Sequence, residues 1–189
     1  SPTVILQDLV MPGVDGLEGY QQSLPPLLIG EKFVGAPDAR LIGTTDRMPI
    51  IVPQEQAFGT GSHETTSLCI EMLERTDLRG KRGLDIGSGS GILAIAMLRL
   101  GAAKVIAFDN DLDAFGPSRD NRLRNRVEFP LFIGGVETIR SAQFYVITMN
   151  IVPEVLIPLL PPGIALMSGD LLLSGSLVTR RDAIVRSCE

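Results

Sequence analysis

Asp85-Ile86-Gly87-Ser88-Gly89-Ser90-Gly91 decides how this chain folds. The stretch follows an apolar segment and opens onto another, Ile92-Leu93-Ala94-Ile95-Ala96-Met97-Leu98. Alternate glycines at a strand-to-helix turn leave no Cβ in the way, so a ligand can approach the backbone closely. The helix that follows points its free N–H groups at that ligand. Asp109 then closes a second apolar run, Val105-Ile106-Ala107-Phe108. In a nucleotide-binding βαβ unit this is where a carboxylate receives ribose hydroxyls. The combination predicts an adenosine-containing cofactor.

The glycine spacing narrows the choice. Dinucleotide sites carry Gly-x-Gly-x-x-Gly, whereas this chain has Gly87-x-Gly89-x-Gly91. The spacing disfavours a dehydrogenase, and it resembles motif I of the class I S-adenosylmethionine (SAM) methyltransferases. SAM has no pyrophosphate, and the resemblance implies a loop that passes under the amino-acid part of the cofactor. A glycine-rich turn in an ordinary α/β domain is the simpler alternative.

Composition sets bounds. A chain of 189 residues, 44% of them hydrophobic, is long enough for one α/β domain with a real core. The net charge of −5 argues against a broad basic surface, so no direct nucleic-acid binding is expected. No stretch approaches a transmembrane span and none reads as a signal peptide, so no membrane partner is expected. Cys69 and Cys188 have no paired spacing, which suggests free, buried thiols and a cytoplasmic setting. His63 is the only histidine, which excludes multi-histidine metal sites. A Ser-His-Asp hydrolase would have to use His63, and no Gly-x-Ser-x-Gly elbow is present.

Along the chain, residues 1–17 read as a strand and a turn. Residues 18–56 are rich in Pro and Gly and read as a linker with lead-in strands near Lys32–Val34 and Ile50–Val52, rather than as core. From residue 57 to 189 the pattern sharpens into alternating elements. A helix is predicted over 64–75, with Cys69, Met72 and Leu73 on one face. Strand 82–86, helix 91–100 and strand 104–109 follow. A helix over 117–125 carries Pro117 in its first turn. Strands at 127–133 and 144–149, a short helix at 153–160, a fifth strand opening at 164–167 and a last helix at 179–188 complete the reading. This alternation implies a doubly wound, mainly parallel sheet.

The motifs then converge. Phe58-Gly59-Thr60-Gly61-Ser62-His63-Glu64-Thr65-Thr66, the Gly87-Ser88-Gly89 turn and Asn150-Ile151 at the end of the fourth strand strongly resemble the PrmA family, methyltransferases of large-subunit ribosomal protein L-eleven. The likeness covers roughly residues 24–187. The threonine-histidine loop is far more specific than the glycine motif. The resemblance implies an α/β fold of the Rossmann-like class I methyltransferase type, with SAM as cofactor. It implies that Thr66, Gly87 and Gly89 line the methionine end of SAM, that Asp109 holds the ribose, and that Asn150 lies beside the transferable methyl. Each residue has a plainer reading. Thr66 can satisfy its own helix backbone, Asp109 can be a solvated strand end, and Asn150 can cap the turn before Pro153. Their joint occurrence at the family's spacing favours function.

The implied reaction is methyl transfer to lysine and N-terminal amines of a ribosomal protein. A protonated amine is no nucleophile, and desolvation lowers a lysine pKa. Positioning and water exclusion then supply much of the rate. Asn150 offers a carbonyl oxygen to orient the amine, whereas His63 is expected to order the loop or pack near the cofactor. Two alternatives share the scaffold: a methyltransferase acting on another protein or a small molecule, and a truncated SAM-binding module without catalysis.

The chain also departs from the family. The N-terminal substrate-recognition domain is expected to be absent or reduced to a trace. The two strands that usually follow the last helix are expected to be missing, which would leave an unpaired sheet edge exposed. Phe115-Gly116-Pro117 interrupts the helix after Asp109, and Leu159-Leu160-Pro161-Pro162-Gly163 is shorter than the helix-turn expected there. Val4-Ile5-Leu6-Gln7-Asp8 through Gly16 separately resembles the phosphoacceptor strand and loop of response-regulator receiver domains, with Asp8 as the acceptor. Seventeen residues cannot form a receiver, so no phosphotransfer is expected of them.

Overall fold

The computed structural model describes residues 3–6, 26–53, 63–139, 143–174 and 184–185. Asp8, the 57–62 loop and most of the predicted 179–188 helix therefore lie outside the described residues. In chain order the elements are β1 (Thr3–Leu6), β2 (Leu27–Ile29), β3 (Phe33–Ala36), β4 (Met48–Ile51), α1 (His63–Arg75), β5 (Arg82–Ile86), α2 (Ile92–Arg99), β6 (Lys104–Asp109), α3 (Leu112–Arg124), β7 (Leu131–Ile133), β8 (Phe144–Asn150), α4 (Pro153–Ala165) and β9 (Met167–Ser174).

Six strands form one parallel sheet in the order β1-β9-β8-β5-β6-β7. The sheet is buried on both faces, so its central strands are nearly continuous apolar runs. One face carries Val105, Ala107, Val146 and Leu172 against Ile70 and Leu73 of α1 and Ile95 of α2. The other carries Leu84, Ile86, Ile147 and Leu171 against Leu156 and Leu160 of α4. Burying one such side chain stabilises the fold by about 1.5–3 kcal/mol. The edge beyond the fifth strand is not bare. Thr3 to Leu6 pair with Asp170 to Leu173, so a strand from the start of the chain continues the sheet there.

Residues 26–53 contribute core, contrary to their reading as a lead-in. β2 and β3 pair antiparallel and β3 and β4 pair parallel. Ile29, Phe33 and Ile50 are fully buried in the cluster that holds Cys69, Ile70 and Leu73. The strands are short and lack a period-2 alternation because β3 is covered on both faces. Side chains bind this sheet to the rest. The Glu74 carboxylate of α1 accepts from the N–H groups of Glu31 and Lys32, each at 2.8 Å. Asn125, after α3, accepts from the Ile51 N–H at 2.8 Å and donates to the Ile51 carbonyl at 2.6 Å. Asn125→Ala strands two buried backbone groups, so unfolding free energy should fall by about 2–4 kcal/mol in urea titrations. An unshifted midpoint would show that the small sheet is held without it.

Two helices run past their prolines. α3 starts at Leu112, not 117, because the Asp111 side chain caps it by accepting from the Asp113 N–H at 2.9 Å. Pro117 thus lies inside the helix and withholds one backbone bond. α4 passes Pro158, Pro161 and Pro162 and ends at Ala165, so β9 opens at Met167. Buried Leu156, Leu160 and Gly163 keep one face on the sheet, and this packing overrides the local preference. β7 is shorter than predicted, starting at Leu131. Before it, the Arg122 guanidinium takes the Phe129 carbonyl at 2.7 Å.

Candidate functional site

The site is built where β5, β6 and β8 end. Beyond Ile86 the chain turns through Gly87, Gly89 and Gly91, all at positive φ (+69°, +50° and +76°). The N–H groups of Gly87 and Ser88 both reach the Phe108 carbonyl at 3.0 Å, which folds the loop over the end of β6. A Cβ on Gly87 would collide with Cγ2 of Ile151, so glycine here lets the loop sit against the residue after Asn150. Gly89 differs: among the described residues, its chain neighbours apart, no heavy atom lies within 4 Å of where its Cβ would be. Its backbone therefore has an open side, the feature a close-lying ligand requires. Beside it, the buried Ser88 hydroxyl has no partner among the described residues.

Asp109 ends β6 with both carboxylate oxygens fixed by the backbone. Oδ2 accepts from the Gly89 N–H at 2.8 Å and Oδ1 from the Asp111 N–H at 3.0 Å. Each oxygen keeps a lone pair for a hydroxyl donor. On the opposite side, Asn150 ends β8 and its Nδ2 donates to Thr66 Oγ1 of α1 at 3.2 Å. That bond leaves the Asn150 Oδ1 as an acceptor. Thr66 is buried and Asn150 half-buried. The structure thus brings Thr66, Gly87, Gly89, Asp109 and Asn150 to the carboxyl ends of neighbouring strands, the usual ligand crevice of an open α/β sheet. The Phe58–Ser62 loop lies outside the described residues, and of His63 only the backbone is described.

Beneath these residues lies a polar layer that sequence reasoning left without a role. Asp85, Thr148 and Ser174 are all 1% exposed or less. Thr148 Oγ1 donates to Asp85 Oδ1 at 2.7 Å, and the Ala94 N–H of α2 donates to Asp85 Oδ2 at 3.2 Å. Burial pushes the Asp85 carboxyl up to about 7; the bonds from Thr148 and Ala94 oppose the shift and the Asp109 charge adds to it. Ser174 Oγ lies 3.4 Å from the Thr65 carbonyl. Burial likewise pushes the Cys69 thiol up to about 12, against a bond with Ser174, which keeps it a neutral packing group. The available signal was a polar residue inside each apolar strand: such a group is buried only with a partner.

Known proteins share this fold. A ribosomal protein L11 methylase from Lactobacillus delbrueckii subsp. bulgaricus superposes with a TM-score of 0.77 at 25% identity, over 87% of this chain and 86% of that one. Ribosomal protein L11 methyltransferases of Symbiobacterium thermophilum and Vibrio campbellii are 32% and 38% identical over 92% and 87% of this chain. This chain spans 58% and 57% of their respective lengths. The sequence pattern of the ribosomal protein L11 methyltransferases (PrmA) matches residues 14–189, and the chain belongs to that family.

Proposed function

We propose that this chain is the transfer domain of a SAM-dependent protein N-methyltransferase, acting on lysine and N-terminal amines of ribosomal protein L11. Its transferase unit spans residues 57–189, with the β2–β4 sheet as support. The observation that carries the reading is the Asn150–Thr66 bond, at the strand edge shared with the glycine loop and Asp109. Among the described residues nothing covers Gly89 and nothing pairs with the Ser88 hydroxyl, which fits a cofactor lying across the loop. Gly87, Gly89 and Thr66 would hold its methionine end and Asp109 its ribose. When bound, SAM supplies a methyl on a sulfonium, a leaving group that needs neither metal nor general acid.

The chain's own residues then have two tasks. Thr66 fixes the Asn150 amide so that Oδ1 can accept an N–H of the incoming amine and turn its lone pair outward. Desolvation of the amine as it docks disfavours the ammonium form, which keeps it neutral. Asn150→Ala should lower turnover on the order of a hundredfold, the scale of a lost alignment, while cofactor affinity changes by less than about threefold. The test incubates the protein with SAM and ribosomal protein L11 and follows methyl increments on its amines by mass spectrometry. Methylation lost together with affinity would make Asn150 a binding residue; no methylation by protein that binds SAM would remove L11 as the acceptor for this chain.

A further inference from the structure

We infer that Asp85 and Thr148 form a positioning pair that fixes the glycine loop against the end of β8 and so shapes the cofactor cradle. The inference rests on the proposed SAM site. Asp85 and Thr148 are direct partners on adjacent parallel strands. Gly87 lies two residues beyond the first and Asn150 two beyond the second. Strand alternation therefore puts Asp85, Thr148 and Asn150 on one face, with the loop leaving β5 directly opposite Asn150. The same carboxyl takes the Ala94 N–H at 3.2 Å. Residue 85 precedes the loop and residue 94 follows it, so one buried group ties its entrance and exit to β8.

Cohesion does not need this group. A valine pair at this register would join the strands without desolvating a carboxyl. What the carboxyl adds is direction: two hydrogen bonds with fixed geometry in a dry setting. The ionisable group acting on it is Asp109 of β6, and the Asp85 charge in turn raises the neutral Cys69 thiol of α1. β8 presents the Thr148 hydroxyl and α2 the Ala94 N–H.

The test compares Thr148→Val with Thr148→Ser in the full chain. Affinity for S-adenosylhomocysteine is measured calorimetrically from pH 6 to 9, alongside urea stability. A merely structural threonine would tolerate valine, which keeps the shape, better than serine, which loses a buried methyl. The positioning role predicts the reverse for binding. Thr148→Val should lose affinity about tenfold or more while its urea curve still shows a folded chain, and its pH profile should move upward because the bond favouring ionised Asp85 is gone. Thr148→Ser should stay within about threefold of the wild type. Asp85→Asn is the second variant. Its Oδ1 can accept from Ala94 and its Nδ2 can donate to Thr148, so binding should persist without pH dependence. Folded Thr148→Val that binds as well as Thr148→Ser, or folded Asp85→Asn that does not bind, overturns the pair. Wild-type protein that binds no S-adenosylhomocysteine overturns the SAM site itself, and the pair with it.

Discussion

Asp109→Ala is expected to weaken SAM binding by roughly tenfold to a hundredfold, the equivalent of about 1.5–3 kcal/mol for hydrogen bonds to a charged group. The carboxylate has two jobs. It accepts from the Gly89 and Asp111 N–H groups at 2.8 and 3.0 Å, and its remaining lone pairs would receive the ribose hydroxyls. Alanine removes both, so the loop loses its tie to β6 when it must hold a ligand. The backbone groups it frees lie near solvent, and Asp109 is itself partly exposed, so the fold should survive. Calorimetric titration together with a urea curve separates the two effects. Affinity equal to wild type would take Asp109 out of the site; a large fall in stability would make it a structural cap.

A second large effect concerns pH. Asp85 titrates at about 7 in the folded chain against an ordinary value of 3.8. Between those values the folded chain holds a proton that the unfolded chain has released, so stability falls as pH rises. The contribution is fully present below 3.8, declines through the window and is gone above about 7. The whole shift corresponds to about 4 kcal/mol, of which about 3 kcal/mol falls between pH 5 and pH 8. Urea midpoints across that range should therefore drop as pH rises, with an unchanged slope. Asp85→Asn should flatten the trend and exceed the wild type at pH 8. A wild-type midpoint that is level or rises over the same range would mean that Asp85 is already ionised, with its burial offset by contacts other than those from Thr148 and Ala94.

How far these features could be read in the sequence depended on how local their causes are. β5 and β6 were bounded at the observed residues, because each is an apolar run stopped by a glycine or a carboxylate. The glycine loop was legible for the same reason: its φ values and the contact with Ile151 demand glycine within a few residues. α4 was cut short because prolines argue locally against a helix, whereas its buried face, set by the sheet beneath, argues for one. Two strands of the β2–β4 sheet were placed, near 32–34 and 50–52, but its part in the core was hidden because its burial comes from α1 and Asn125, far along the chain. The Asp85–Thr148 pair was hidden too. Its partners lie 63 residues apart and meet only through the register of β5 with β8. A carboxyl inside an apolar strand announces that it has a partner, not which one. The first strand read as part of another fold, yet its backbone pairs with β9.

The most direct measurement is a calorimetric titration of the 189-residue chain with SAM, S-adenosylhomocysteine and NAD. Saturable one-to-one binding of the first two, with none of NAD, is the predicted result. A folded chain that binds neither adenosyl compound, or that takes NAD instead, would contradict the reading of Gly87, Gly89 and Asp109 as a methyl-donor site.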